Sequence, residues 1–349
     1  MTRSVGYVGL DHHHRAPYLE TIEQLDAEVV ATADPDGTRP TDVGAMGVAD
    51  TPWYGSVDDL LANEDVDLLW LTLSNRETPS AIESAVEAGV DVFSEKPAAR
   101  TAADLIPVAD RIRDGDATVG FSYVWRGHPI ARELRDRAAA GFFGSARSFA
   151  LRFVASSLAT RPTDHYLYDS AASRGGIVQW LGVHWLDLLP WILNDRIVRA
   201  NASTSAGTEC VDIEDGATVQ LELASGAVGS LTTGYYLRDG RYDTAFDVFG
   251  ESGHCSWDPM GTTFGFEGTT SVALDTDEWV GTPHREVVHE YEPAPGYGGR
   301  WGLAFLEQFL DACAGDAEVP ADVSDALRVL RVLDAIYESA KRNEWVAVQ

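Results

Sequence analysis

Leu68-Leu69-Trp70-Leu71-Thr72-Leu73 decides the fold. The run is apolar on both faces and holds no charged residue, as expected of a strand covered by helices on both sides of a parallel sheet. The pattern continues outward on either side. Strands are predicted at Val5–Gly9, Glu28–Ala33, Val66–Leu73, Val90–Ser94 and Thr118–Phe121. Helical periodicities lie between them, near Tyr18–Leu25, Val57–Ala62, Ser80–Ala88 and Ala102–Arg113. This alternation predicts βαβ units and a doubly wound parallel sheet over residues 1–125.

From Arg147 the rhythm changes. Segments with polar alternation, at Arg147–Val154, Ala217–Leu223, Ala227–Gly234 and Thr244–Gly250, are separated by glycine-containing turns. One helix, about Ile177–Leu193, interrupts them, and helical periodicity returns at Leu303–Ala314 and Val323–Lys341. Residues 126–349 are therefore predicted to form an α+β domain with a large, mostly antiparallel sheet carrying helices on one face. The fold class is α/β in two domains, which suits a prior of ~150 residues per domain.

The 349 residues carry 26 basic and 55 acidic side chains, a net charge of −29. Such a field repels nucleic acid and anionic lipid, so neither is expected as a partner. Lys96 and Lys341 are the only lysines, and arginine supplies the remaining positive charge. An arginine-for-lysine, aspartate-rich surface resembles proteins of the salt-filled cytoplasm of halophiles. At ~1 M salt the Debye length is ~3 Å, so the charge then speaks of solvent more than of substrate steering. Cys210, Cys255 and Cys313 are far apart and odd in number, which predicts a reducing compartment without a disulfide framework. The first residues hold no apolar targeting core, and no run approaches ~18 apolar residues. A cytoplasmic protein that spans no membrane is expected.

Gly6-Tyr7-Val8-Gly9-Leu10-Asp11-His12-His13-His14 falls where the first strand turns into the first helix. Glycine there lets the backbone approach a pyrophosphate, and helix N–H groups bind the anion. Gly9 holds the first place of G-x-G-x-x-G, while Asp11 and His14 hold the other two glycine places. A strand-to-helix turn capped by Asp11 accounts for the same residues. Asp34 lies 25 residues beyond Gly9, close to the spacing of an acid that holds the adenosine ribose diol and repels a 2′-phosphate. NAD is thus favoured over NADP, although Asp34-Pro35-Asp36-Gly37 also reads as an ordinary turn and Arg39 offers a phosphate partner. Adjacent helical positions are ~100° apart, so the three histidines cannot converge on a metal ion without an irregular loop, and no second Cys/His cluster lies nearby in the sequence; a metal site is not expected. Contact of one or two of these imidazoles with cofactor phosphate is expected instead.

Glu95-Lys96-Pro97 follows Val90–Ser94, at the sheet edge where doubly wound domains bind ligands. In a chain almost without lysine, Lys96 marks a task that arginine cannot perform, because lysine can lose its proton and acts as a compact donor. The wider series includes Gly9, Ser74-Asn75, Ala88-Gly89, Val92 to Pro97, Gly120-Phe121-Ser122-Tyr123, Arg126 and Pro129. It continues with Gly175-Gly176, Gly182-Val183-His184, Asp187 and Ala335 to Ala340. In this order the motifs resemble the Gfo/Idh/MocA family of nicotinamide-dependent oxidoreductases over nearly the whole chain. The resemblance implies a Rossmann domain and an open-sheet domain that forms a homodimer or homotetramer. Together with the glycine-turn reading, it assigns NAD to Gly9, Leu10, Asp11, His12, His13, Asp34, Ser74, Asn75, Glu95 and Lys96. It also implies that Lys96 reaches the nicotinamide and the reacting hydroxyl, that its bond to Pro97 is cis, and that His184 works beside the substrate. The implied reaction is hydride transfer between NAD and a sugar, polyol or related hydroxy compound.

Trp180, His184, Asp187 and Trp191, at spacings of 4, 3 and 4, share one helix face. Taken alone they describe a buried aromatic face with a satisfied histidine. With Lys96 and the Gly-Gly entry, His184 becomes the group that takes the hydroxyl proton. Many family members carry an aspartate where this chain has Trp180, and an indole cannot accept a proton. Stacking of Trp180 on a sugar ring is expected in its place. Tyr123, Arg126, and the loop residues Arg161, Asp164, His165, Tyr166 and Tyr168 complete the expected substrate contacts. Two other readings stay open: transient oxidation within a lyase or glycosidase cycle, prompted by Trp180, and a non-catalytic metabolite sensor, prompted by Asp11.

Overall fold

The computed structural model describes residues 2–35, 47–158, 165–208, 211–261, 269–290 and 293–349. Asp36, Gly37, Arg39, Arg161, Asp164 and Cys210, singled out above, lie outside the described residues. In chain order the first sheet is built from β1 (Arg3–Val8), α1 (Arg15–Ile22), β2 (Ala27–Ala33), β3 (Trp53–Tyr54), α2 (Val57–Asn63), β4 (Leu68–Leu71), α3 (Thr78–Glu87), β5 (Asp91–Ser94), α4 (Ala102–Asp114) and β6 (Val119–Phe121). The strands run in the order β3-β2-β1-β4-β5-β6, every neighbouring pair parallel. This is the expected doubly wound sheet, and Leu68, Leu69, Trp70 and Leu71 of β4 are fully buried in it. Ser56 and Thr101 cap α2 and α4 by accepting the amides of Asp59 and Asp104, which fixes where those helices start.

The chain continues through α5 (Pro129–Ala139), β7 (Ala146–Ser156), the short α6 (Ser170–Ser173), a π-helical turn at Val178–Gly182 and α7 (Val183–Leu193). Next come β8 (Ile197–Ser205), β9 (Gly216–Leu223), β10 (Val228–Leu237), β11 (Asp243–Gly250), β12 (Gly253–Trp257), β13 (Thr269–Thr276) and β14 (His284–Glu290). Last are α8 (Gly299–Cys313), α9 (Val323–Arg342) and β15 (Val346–Ala347). The second sheet has the order β14-β13-β12-β11-β7-β10-β9-β8-β15. The pair β7 and β10 is parallel and the other pairings are antiparallel. One sheet face packs on α7, where Trp185 lies 5.1 Å from Phe153 and 5.9 Å from Phe246. By register, the exposed Val228, Phe249 and Val288 lie on the other face.

The structure divides into two compact units, Met1–Val124 with Ala294–Leu327, and Trp125–Pro293 with Arg328–Gln349. Whereas the sequence places a single boundary at residues 125 and 126, residues 294–327 group with the first unit. Phe309 of α8 explains the return: its ring lies 5.2 Å from Phe93 and fills the space over Gly120, where a Cβ would come within 2.6 Å of it. An amphipathic pattern announces an apolar face but not the sheet that face will meet. Among the described residues, no helix is long and apolar enough to cross a membrane.

Candidate functional site

In the first unit, Gly9 ends β1 with φ +94°, and a Cβ there would stand 2.5 Å from the Thr72 carbonyl oxygen. Only glycine accepts both that backbone angle and that approach. The Leu10 amide donates to Asp34 Oδ2 at 3.2 Å, so the acid at the end of β2 holds the turn itself. Leu10 and His12 are buried, whereas Asp11 and His13 are exposed. A cavity of about 200 Å³ is lined by Pro35, Asp58, Leu73, Glu77 and Ser80 among others. Ser74 and Asn75 are buried at the foot of α3, where Ser74 Oγ donates to Glu77 Oε2 at 2.5 Å and the Ser74 carbonyl accepts the amides of Glu77 and Thr78.

The three histidines do come together. The turn is irregular rather than helical, and it brings one ring nitrogen from each of His12, His13 and His14 within 4.8 Å of the others. An irregular turn is the condition under which adjacent histidines can converge, and it is met here. His12 Nδ1 accepts the His14 amide at 3.0 Å, and His14 Nδ1 lies 2.8 Å from Glu95 Oε1. Burial holds His12 well below the ordinary histidine range, hence neutral.

Glu95, Lys96 and Pro97 follow β5, with the Lys96–Pro97 peptide cis. Both Glu95 and Lys96 are buried, with Nζ 3.8 Å from Glu95 Oε2. Glu95 Oε1 accepts the Tyr18 hydroxyl at 2.7 Å, and Oε2 accepts the Lys96 amide at 2.9 Å. Burial opposes ionisation of Glu95, but the Lys96 ammonium and His14 outweigh it and hold the carboxyl well below its usual range. Burial lowers Lys96 from the ordinary lysine range, against the pull of Glu95. His14, Tyr18 and Ser122 were not expected to take part. Their link to Glu95 spans 81 residues for His14 and 77 for Tyr18, and no local spacing carries it. Tyr123, expected at the substrate, is 1% exposed.

In the second unit, Gly175 and Gly176 are required by what packs on them: a Cβ would stand 2.0 Å from the Tyr337 hydroxyl at the first and 1.9 Å from the Glu214 carbonyl at the second. Glu214 then caps the helix entry, accepting the amides of Gly176 at 2.7 Å and Val178 at 3.1 Å and the Tyr337 hydroxyl at 2.9 Å. Beyond the π-helical turn, His184 is 4% exposed and sits edge-on to Trp125, with ring centroids 6.4 Å apart. Trp180 is 5% exposed and donates its indole N–H to the Leu167 carbonyl at 3.1 Å, so it ties down the turn that carries His165 and Tyr166. Those two rings lie 4.2 Å apart, tilted by 35°, and are partly exposed. Arg126 is buried and holds Asp187 with two contacts, Nε to Oδ2 at 2.9 Å and Nη2 to Oδ1. Nε and Nη2 of its guanidinium are thus engaged by a protein carboxylate.

The parallel sheet and its glycine turn are those of a Rossmann-type dinucleotide-binding protein. The chain belongs to the GFO/IDH/MocA oxidoreductase family: residues 4–123 match its "Oxidoreductase family, NAD-binding Rossmann fold" and residues 131–256 its "GFO/IDH/MocA C-terminal domain". It is similar to inositol 2-dehydrogenase 3 of Saccharopolyspora erythraea, 29% identical over 279 residues, covering 78% of this chain and 77% of that one. A 1,5-anhydro-D-fructose reductase of Ensifer adhaerens is 27% identical over 316 residues, covering 86% of this chain and 92% of its own. The solved structure of levoglucosan dehydrogenase with NADH and levoglucosan shares the fold at TM-score 0.84, with 17% identity and full coverage of both chains.

Proposed function

We propose that the protein is an NAD(H)-dependent oxidoreductase acting on a CH–OH group of a sugar, polyol or related hydroxy compound. The observation that carries this reading is the buried Lys96 and Glu95 pair at the carboxyl edge of the family's NAD-binding domain. Gly9 fits the strand-to-helix turn of a dinucleotide site, because its φ of +94° and the Thr72 carbonyl 2.5 Å from where a Cβ would stand admit only glycine there. Asp34 would hold the ribose diol, and the carboxylates of Asp58 and Glu77, which line the cavity with Pro35, disfavour a 2′-phosphate. When bound, nicotinamide supplies the hydride acceptor or donor. Lys96 orients and polarises the reacting oxygen, and His184 exchanges its proton. The named activities of the relatives, on inositol, anhydrofructose and levoglucosan, support this substrate class.

The reading also includes self-association through the open sheet face that carries Val228, Phe249 and Val288. Absorbance of reduced nicotinamide, followed with a panel of sugars and polyols in multimolar KCl, tests the activity. Substrate-dependent reduction of NAD that is lost in Lys96→Met supports it. Product formed with no net change in nicotinamide would favour the transient-oxidation cycle instead. Binding of NAD with no turnover on any compound would overturn the enzyme reading.

A further inference from the structure

We propose that His14 is a positioning residue for Lys96, acting through Glu95. The proposal rests on the role given to Lys96 above. Glu95 Oε1 receives the Tyr18 hydroxyl at 2.7 Å and His14 Nδ1 at 2.8 Å, while Oε2 receives the Lys96 amide at 2.9 Å and faces Nζ at 3.8 Å. Tyr18 also shares a hydrogen bond with Ser122 Oγ at 2.5 Å. Tyr18, Ser122, Glu95 and Lys96 are all buried, whereas the His14 side chain is 19% exposed. Solvent therefore meets this network at His14.

Glu95 stands between two groups able to carry positive charge. A neutral His14 donates Nδ1–H and leaves the carboxylate's charge to the Lys96 ammonium. A protonated His14 adds a second cation to the same carboxylate, and Lys96 loses part of its counter-charge. The amine is then less firmly held at Oε2. Burial lowers the proton affinity of His14 and Glu95 opposes that shift, so the change of state falls on the acid side of the ordinary histidine range. The titratable groups against His14 are His12 and His13 in the turn, Tyr18 on α1, Glu95 and Lys96 after β5, and Tyr297, whose ring lies 4.3 Å away just before α8. His12 is held neutral by burial, which leaves exposed His13 as the neighbour to be separated from His14.

The scarcity of lysine makes the test direct. Protein labelled with carbon-13 at lysine Cε gives one signal from Lys96 and one from the exposed Lys341, an internal control. In the wild type, the Lys96 signal should show a second inflection below pH ~6.5. In His14→Asn, whose amide donates in place of Nδ1 but does not titrate, that inflection should vanish while the main Lys96 titration is kept. In His14→Leu the donor is gone, Glu95 turns wholly to Lys96, and the main titration should rise by about half a pH unit, a threefold change in the equilibrium. His13→Asn should leave both features in place. Lys96 curves that are the same in wild type, His14→Asn and His14→Leu overturn the proposal, as does an inflection removed by His13→Asn. Lys96→Met separates this outcome from the functional reading. Turnover lost in that variant, with Lys96 curves unmoved by His14, defeats the coupling alone, whereas turnover retained in Lys96→Met defeats the catalytic role of Lys96 and with it the positioning role of His14.

Discussion

Arg126→Met should destabilise the second unit by about 3–5 kcal/mol, because it strands a buried carboxylate. The magnitude follows from the setting: the Arg126 and Asp187 side chains are 4% and 2% exposed, and Asp187 receives both arms of the guanidinium. The surface pair Arg152 and Asp243, at 44% and 50% exposure, belongs to the class that contributes about 0–1 kcal/mol. Asp187→Asn should cost less than Arg126→Met, since it leaves a cation next to the Trp191 ring, 5.7 Å from the Arg126 guanidinium carbon, and an amide that still accepts one hydrogen bond. The double variant Arg126→Met with Asp187→Leu should recover most of the loss, as paired removal leaves no buried charge behind. Urea unfolding at fixed KCl, followed by far-UV circular dichroism, measures all four corners of the cycle. At a slope of about 2–3 kcal/mol/M, the single arginine variant should move its midpoint by roughly 1–2.5 M. If Arg126→Met keeps its midpoint within about 0.3 M of wild type while losing turnover, the arginine serves a ligand and the structural account is wrong.

Gly9→Ala should lose NAD affinity at least about tenfold and cost about 1–3 kcal/mol in backbone strain; unchanged quenching of tryptophan emission by NAD would contradict the role of the turn. Asp34→Ala frees the Leu10 amide and removes the carboxylate at the end of β2, so the ratio of NADP to NAD affinity should rise, and a ratio that stays constant would remove Asp34 from cofactor choice. Burial raises the Glu214 carboxyl above its ordinary range, against the amides of Gly176 and Val178 and the Tyr337 hydroxyl. A carboxyl raised on folding contributes stability while protonated, below its unfolded range, and that contribution is lost as pH rises through the folded value. The stability of the wild type relative to Glu214→Gln should therefore fall as pH rises from the ordinary carboxyl range through the raised folded value, and a difference that grows with pH would reverse the sign of this account.

The parallel sheet was legible because β4 is apolar throughout and the alternation with helices repeats at short range. The edge of the second sheet was not. Strand β14 reads His-Arg-Glu-Val-Val-His-Glu, and an exposed edge strand has no need of an apolar face. Lys96 stood out through composition and position alone. The residues that surround it did not, because the contact of Tyr18 and His14 with Glu95 exists only after β1 and β5 lie near each other in the sheet. Trp180 and Arg126 were read by what their side chains offer a sugar. The structure commits the indole N–H to Leu167 and the guanidinium to Asp187, neither of which is a helix-spacing neighbour.

The return of residues 294–327 to the first unit sets an order of assembly. On a ribosome adding about 5–20 residues per second, Trp125–Pro293 must all emerge before α8 does, a delay of roughly ten to thirty seconds. Throughout that interval the surface of Phe93 and Gly120 that Phe309 will cover is bare, as is the Phe121 amide that later donates to Ala321 at 3.0 Å. A nascent chain stalled before α8 would thus display an apolar patch on an otherwise formed nucleotide-binding sheet, and chaperone capture should peak at those lengths.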